Sequence, residues 1–318
     1  MAHLIVPYAA TSAHLPGPDH AAPALPPLPG LSRLLALLEP LGRDAGDEYS
    51  LSPPHERAWA RALGLPSGDG AIPWAAWQAG VTHCACAWFS PCHWQAGMDQ
   101  VTLQPADGLE LSEADSRALL EALRPWAEED GLTLHFENAT RWRAEGEVFA
   151  DLACASLDRV AHRRVDLWLP DARRQPRARA LLRLQSEAQM LFYSHPVNDE
   201  RAARGLALIN GFWISGGGVW DGQAISQPAP ELDQRLRQPA LRGDLAGWGR
   251  AWEQIDQSAI AALLERTQAG EPVQLTLCGE RHAQTWASPD RPSGLWSRLA
   301  GLLRPARQPD IPLILSQL

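Results

Sequence analysis

The run His195-Pro196-Val197-Asn198-Asp199-Glu200-Arg201, continuing through Gly205, Asn210 and Trp213 to Gly216-Gly217-Gly218, decides how this sequence is read. A helix ends before it, Pro196 sets a turn, and Asn198 and Arg201 stand near the start of the next element. Residues 211–215 read as a strand that enters the triple glycine, where backbone can approach a neighbour or a ligand closely. Two readings of this segment stand side by side. In one, His195, Asn198, Arg201, Asn210, Gly216, Gly217 and Gly218 hold a small phosphate or carboxylate, because a guanidinium binds such anions bidentately. In the other, Asn198 caps a helix, Arg201 pairs with Asp199 or Glu200, and the glycines serve a bend.

Outward from that run, Leu181, Leu184, Ala188 and Leu191 recur at helical spacing over 177–192. Ser112 and Asp115 open a helix that Leu119, Leu120, Leu123 and Trp126 line. Residues 31–41 read as a leucine-faced helix stopped by Gly42, a shorter helix is expected over 56–63, and Trp252, Ile255, Ala259 and Leu263 mark another. Strands are expected over 3–9, 85–89, 100–103, 133–136, 165–169, 211–215, 273–278 and 311–316. The proline-rich stretch 15–30 excludes a regular helix or a central strand. Strands interleaved with helices give an α/β fold class.

Composition narrows the chemistry. All 28 basic residues counted as Lys+Arg are arginine, so a P-loop lysine, a kinase lysine and a Schiff-base lysine are excluded together. Any anion must be held by Arg, His, backbone N–H groups or a metal. A net charge of −9 argues against a nucleic-acid partner. The arginine-dense stretch 159–183 reads as a solvated helical face. Five cysteines suit a reducing compartment better than a disulfide framework. The start lacks the pattern of a signal peptide, and no apolar run is long enough to span a bilayer. These features lead to the expectation of a soluble cytoplasmic protein without a membrane partner.

The run HPVNDERAARGLALINGFWISGGG resembles the corresponding segment of archaeal-type, cofactor-independent phosphoglycerate mutases. It resembles still more that of a bacterial family named for the RpfE regulatory protein. The stretches HCACAWFSPCHWQAGMDQVTL, LELSEADSRALLEALRPW and LRLQSEAQMLFYSHPVN are similar to the same pattern, over roughly residues 80–260. The resemblance implies an alkaline-phosphatase-like mixed sheet flanked by helices, with a smaller inserted α+β domain. Its main body would take residues 1–75 and 195–318, and the insert 76–194. Active mutases of this type use two divalent metals and a serine nucleophile, with Asp and His ligands at motifs along the chain. Here Thr11-Ser12-Ala13-His14 stands where Asp-Gly is expected, and Cys278-Gly279-Glu280-Arg281-His282 where Asp-His is expected. Without clustered carboxylates a hard dication pair has no ligand set. The resemblance therefore implies a scaffold that has lost its metal centre. Its expected role is regulatory and non-catalytic, with no cofactor and with a small anion or a protein as partner. The alternative is an active phosphoryl-transfer enzyme, mutase-like or phosphatase-like, whose divalent metal sits on His14, Asp19, His20 and His282.

One further cluster remains. His83, Cys84, Cys86, Cys92 and His93 offer soft and borderline ligands within a short span, which would suit zinc. Their spacing matches no common zinc pattern, and buried core cysteines are the competing reading. Among the 14 tryptophans, the pairs Trp74/Trp77 and Trp248/Trp252 have helical spacing and are expected to pack inward.

Overall fold

A computed structural model describes residues 1–10, 25–223, 229–289 and 309–318. The first half of the chain runs β1 (Ala2–Val6), α1 (Pro29–Leu37), β2 (Glu39–Ala45), α2 (Pro54–Leu63), α3 (Trp74–Ala79), β3 (Ala85–Ala96), β4 (Val101–Pro105) and α4 (Glu113–Glu129). It continues with β5 (Thr133–Asn138), β6 (Arg141–Glu145), α5 (Leu157–Val160), α6 (Ala178–Tyr193), α7 (Pro196–Ala203) and β7 (Gly211–Val219). The last part holds β8 (Glu231–Leu232), α8 (Arg237–Leu241), α9 (Leu245–Ile255), α10 (Ala261–Gln268), β9 (Val273–Cys278), β10 (His282–Ala287) and α11 (Ile311–Ser316). The result is mixed α/β, with two sheets and flanking helices.

Two compact units divide the chain. The first is Met1–Tyr49, Pro54–Leu63 and Ser226–Leu318, and the second is Ser50–Pro53 with Gly64–Ile225. The segment 195–225, expected with residues 1–75, thus belongs with the second unit. Its strand β7 is laddered to β3 from Ala85↔Val219 to Cys92↔Gly211, and that pairing fixes its place.

In the first unit the sheet order is β2-β10-β9-β1-β8. Strands β1, β8 and β9 are parallel, and β10 runs antiparallel to both β9 and β2. One face buries Leu4, Val6, Leu275, Leu277 and Trp286 against α1, α9 and α10. Trp248 and Trp252 pack edge to face in that core and donate their indole N–H groups to the carbonyls of Tyr8 (2.8 Å) and Ala9 (3.2 Å). Between α9 and α10 the chain makes one π turn, Asp256–Ile260. That turn aims the Asp256 carboxylate at the open N-terminus of α1, where it accepts from Gly30 N (3.0 Å) and Leu31 N (2.7 Å).

The second unit is antiparallel. Its sheet runs β4-β3-β6-β5, and β7 also pairs with β3. Phe89 and Phe212 stack at 4.3 Å between ring centroids, inside a core shared by the leucines of α4 and α6. Each such fully buried side chain contributes about 1.5–3 kcal/mol by leaving water. Ser112 caps α4 by accepting from Asp115 N, as its sequence pattern predicts.

Three local expectations change. The 31–41 helix stops at Leu37 and the chain turns into β2, because Pro40 keeps its predecessor out of helical geometry. Residues 165–169 are a turn whose Val165 and Trp168 are buried, so their apolar spacing reflects a small satellite core and no ladder. Residues 311–316 form α11, with Pro312 in the first turn and Asp310 capping Leu313 N.

Replacing Asp256 with alanine strands two backbone donors of α1. An expected loss of about 1–2 kcal/mol follows, read from the shift of the urea midpoint, with Asp256→Asn retaining most of the cap. A shift below a few tenths of a kcal/mol would show that α1 does not depend on this contact.

Candidate functional site

The HPVN segment is where ligand chemistry was expected, and its polar groups turn inward. His195 is the N-cap of α7, its Nδ1 accepting from Val197 N at 3.2 Å. Asn198, 2% exposed, donates to the carbonyls of Phe192 (2.7 Å) and Ile209 (2.8 Å) and accepts from Ile209 N (2.9 Å). Arg201 is 1% exposed and donates from Nε to Ala207 O at 2.9 Å and from its two terminal nitrogens to the carbonyls of Glu110 and Leu109. Burial draws its pKa below the usual arginine value, with the charge of Asp115 opposing. Asn210 behaves as one more rung of the sheet. Its amide accepts from Trp94 N (2.7 Å) and donates to Trp94 O (3.0 Å).

The triple glycine is a bulge within β7. Cys86 faces Gly218 and Trp88 faces Ser215, so β7 carries one residue more than β3 across that step. Gly216 has φ +63°, and a Cβ there would stand 3.0 Å from the Cβ of Trp74. Gly218 is equally crowded by Pro73. The glycines therefore let the start of α3 lie directly on the strand. Of the residues expected to hold a ligand, His195, Asn198, Arg201 and Asn210 thus have their polar groups on backbone partners, and Gly216 and Gly218 give room to the start of α3 beside Gly217.

The expected cysteine–histidine cluster separates along β3. Cys92 Sγ accepts from Trp94 Nε1 at 3.1 Å and His93 Nδ1 meets Leu208 O at 2.8 Å. The Cys92 thiol is fully buried, which raises its pKa. His83 is exposed, with its backbone at φ +56°. Cys84 and Cys86 stay together and meet Glu145 of β6, a residue that spacing along the chain cannot reveal. The alternation Arg141-Trp142-Arg143-Ala144-Glu145 is the strand signal that carries it.

A second polar constellation lies in the first unit. His3 Nε2 and Thr276 Oγ1 are 2.8 Å apart, and Thr276 Oγ1 and Thr285 Oγ1 are also 2.8 Å apart, across three neighbouring strands. They share the floor of a pocket of about 580 Å³, whose lining also includes Arg43, Asp44, Arg61 and Gln274. Burial lowers the His3 pKa to about 4, so its imidazole is neutral at neutral pH. Arg61 engages Asp44 (2.9 Å) and Arg43 donates to Gln317 O (2.7 Å), each committing part of a five-donor fork to described partners. Polar residues at alternating positions of otherwise apolar strands were the signal for this floor.

His14, Asp19 and His20 lie outside the described residues. His282 Nδ1 accepts from Gly46 N at 3.3 Å, and its pKa is lowered by burial and then by the charges of Arg43, Arg281 and Arg57. Among described residues, Asp233 follows the parallel strand β8, its N–H donating to Ile5 O at 3.0 Å. Its carboxylate is gripped by Arg235, whose Nε stands 2.9 Å from Oδ1 and 3.1 Å from Oδ2. Asp44 is held by Arg57 and Arg61. No helix among the described residues is long and apolar enough to cross a membrane.

Comparison with solved structures finds the PH0037 protein from Pyrococcus horikoshii, 10% identical, with a TM-score of 0.46 over 90% of this chain and 87% of that one. The cofactor-independent phosphoglycerate mutase from Thermoplasma acidophilum is 12% identical, with a TM-score of 0.33 over 91% of this chain and 90% of that one. No family model matches the chain, and no curated protein matches it in sequence.

Two outcomes test this geometry. Asn198→Ala leaves one buried N–H and two carbonyls without their partner and is expected to cost about 2–4 kcal/mol in denaturant unfolding. A near-neutral result would return the segment to an exposed, ligand-facing role. The second concerns pH. The folded pKa of His3 lies below the ordinary histidine value of 6.5, so the unfolded chain binds the extra proton as pH falls. Stability is therefore fully present above pH 6.5 and declines toward about pH 4, and His3→Gln should flatten that part of a melting-temperature profile. An unchanged profile in the variant would remove His3 as its source.

Proposed function

We propose that this chain is a non-catalytic, regulatory ligand-binding protein on an alkaline-phosphatase-like, phosphoglycerate-mutase-like scaffold. The ligand is a small phosphate or carboxylate, seated in the pocket over His3, Thr276 and Thr285. The observation that carries this reading is that polar ladder beneath Arg43 and Arg61. A neutral imidazole and two hydroxyls supply oriented hydrogen bonds, and the guanidinium groups supply a permanent charge in a chain without lysine. The scaffold assignment, and the RpfE-type regulatory character with it, rest on the resemblance of residues 195–218 and their flanks.

Among the described residues, the donors in the first unit do not fit the two-metal centre that the resemblance implies. Asp233 is neutralised by Arg235 and Asp44 by two arginines. His282 stands among three arginine charges that disfavour a dication as they disfavour its own protonation.

Calorimetric titration of the full chain with inorganic phosphate and with phosphoglycerate tests the reading. Saturable binding is expected, weakened about tenfold by Arg61→Ala, the equivalent of one charge-assisted hydrogen bond. Thr276→Val should weaken it as well. Binding indifferent to both substitutions would displace the site from this pocket. Phosphoryl transfer appearing on addition of Mn²⁺, Mg²⁺ or Zn²⁺ would establish the enzyme in place of the regulator.

A further inference from the structure

We infer that Cys84, Cys86 and Glu145, with His135 beside them, form a binding site for a thiophilic divalent metal, zinc by preference. The site lies in the second unit and is independent of the anion pocket. The ligand atoms of Cys84, Cys86 and Glu145 all lie within 4.8 Å of one another. The fold brings them together in a definite way. Cys86 and Glu145 are directly opposed in the β3–β6 ladder, so their side chains share one face of the sheet. Cys84 is two residues before Cys86, immediately outside the strand, where His83 turns the chain at φ +56°. His135 is paired with Arg143 on β6, two residues from Glu145, and so belongs to the same face.

A second observation points to a ligand. The Nε2 atom of His135 is buried, has no hydrogen-bond partner, and stands 3.4 Å from Glu145 Oε2. Arg143 engages the other oxygen, Oε1, and also pairs with Glu137, so Oε2 is the oxygen turned to the imidazole. Two sulfurs and one carboxylate oxygen supply three of the four donors of tetrahedral zinc, and His135, against the far oxygen of Glu145, orients that carboxylate. Binding displaces the two thiol protons to solvent and leaves a pair of thiolates that neutralises the dication, with no change of oxidation state.

A dication between the two sulfurs and Glu145 meets donors of opposite charge once the thiols have lost their protons. Arg143 beside Glu145 is the opposing feature, since its charge repels a metal. Its two carboxylate partners, Glu137 and Glu145, offset that charge locally.

Cobalt titration of the full, reduced and chelator-treated chain is the test. The expected result is one Co²⁺ per chain with a thiolate-to-cobalt charge-transfer band, displaced by Zn²⁺. Cys86→Ser and Cys84→Ser should each lose more than the about 10–100-fold in affinity that removal of a supporting residue costs. His93→Gln, at the other end of β3, should bind as the parent does. Because a Cys86 variant can fail to fold, the wild-type chain gives a second readout: stoichiometric zinc should slow alkylation of Cys84 and Cys86. Absence of a charge-transfer band, a band that survives in Cys86→Ser, or alkylation indifferent to zinc would each overturn the site. So would oxidation of Cys84 and Cys86 to a disulfide in a chain with no metal affinity.

Discussion

A buried guanidinium whose hydrogen bonds go to backbone carbonyls organises the second unit. Arg201 reaches three backbone carbonyls, at Ala207, Leu109 and Glu110, and so ties α7 to the turn before α4 and to the segment leading into β7. Only a planar fork can serve three acceptors in that layout, and a lysine would leave some of them unmet. Beside it, Asn198 closes the same segment onto Phe192 and Ile209, and Asn210 extends the pairing to Trp94. With those contacts in place β7 lies along β3 and the ladder fixes the register in which Cys86 faces Gly218 on one side and Glu145 on the other.

The consequence is a division of labour that residue type alone does not disclose. Asn and Arg beside a glycine run can embrace an anion, but here their donors and acceptors are matched to backbone groups, and burial makes any loss of those partners costly. The ligand chemistry proposed for this chain falls to other groups. In the first unit that is the ladder of His3, Thr276 and Thr285 under two arginines. In the second it is the pair of thiols facing Glu145.

Much of the fold was legible in the sequence, wherever a local rule governs the outcome. Ser112 with Asp115 marks the start of α4, the leucine spacing marks α6, and the apolar run 273–278 marks β9. Mistakes fell where a nonlocal or steric term prevailed. Pro40 ended a leucine-rich helix early, and the run 311–316 became a capped helix although its residues favour strands. The sites were less legible still. The inward turn of Asn198 and Arg201 depends on carbonyls as remote as Leu109, and the partner of Cys86 comes from a strand nearly sixty residues away, roughly the length of an intervening α+β segment. Spacing along the chain grouped Cys92 and His93 with Cys84, whereas the length of β3 sets them apart.

The central claim is that an anion seats over the first unit's polar floor and not against the HPVN segment. Crystals of the full chain soaked with tungstate, a heavy-atom mimic of phosphate, would locate the anion by anomalous scattering. The account predicts a peak within hydrogen-bonding reach of Thr276 and Arg61, and none beside Asn198 or Arg201. A peak enclosed by Asn198, Arg201 and the glycines of β7, with those side chains swung away from their carbonyls, would contradict it.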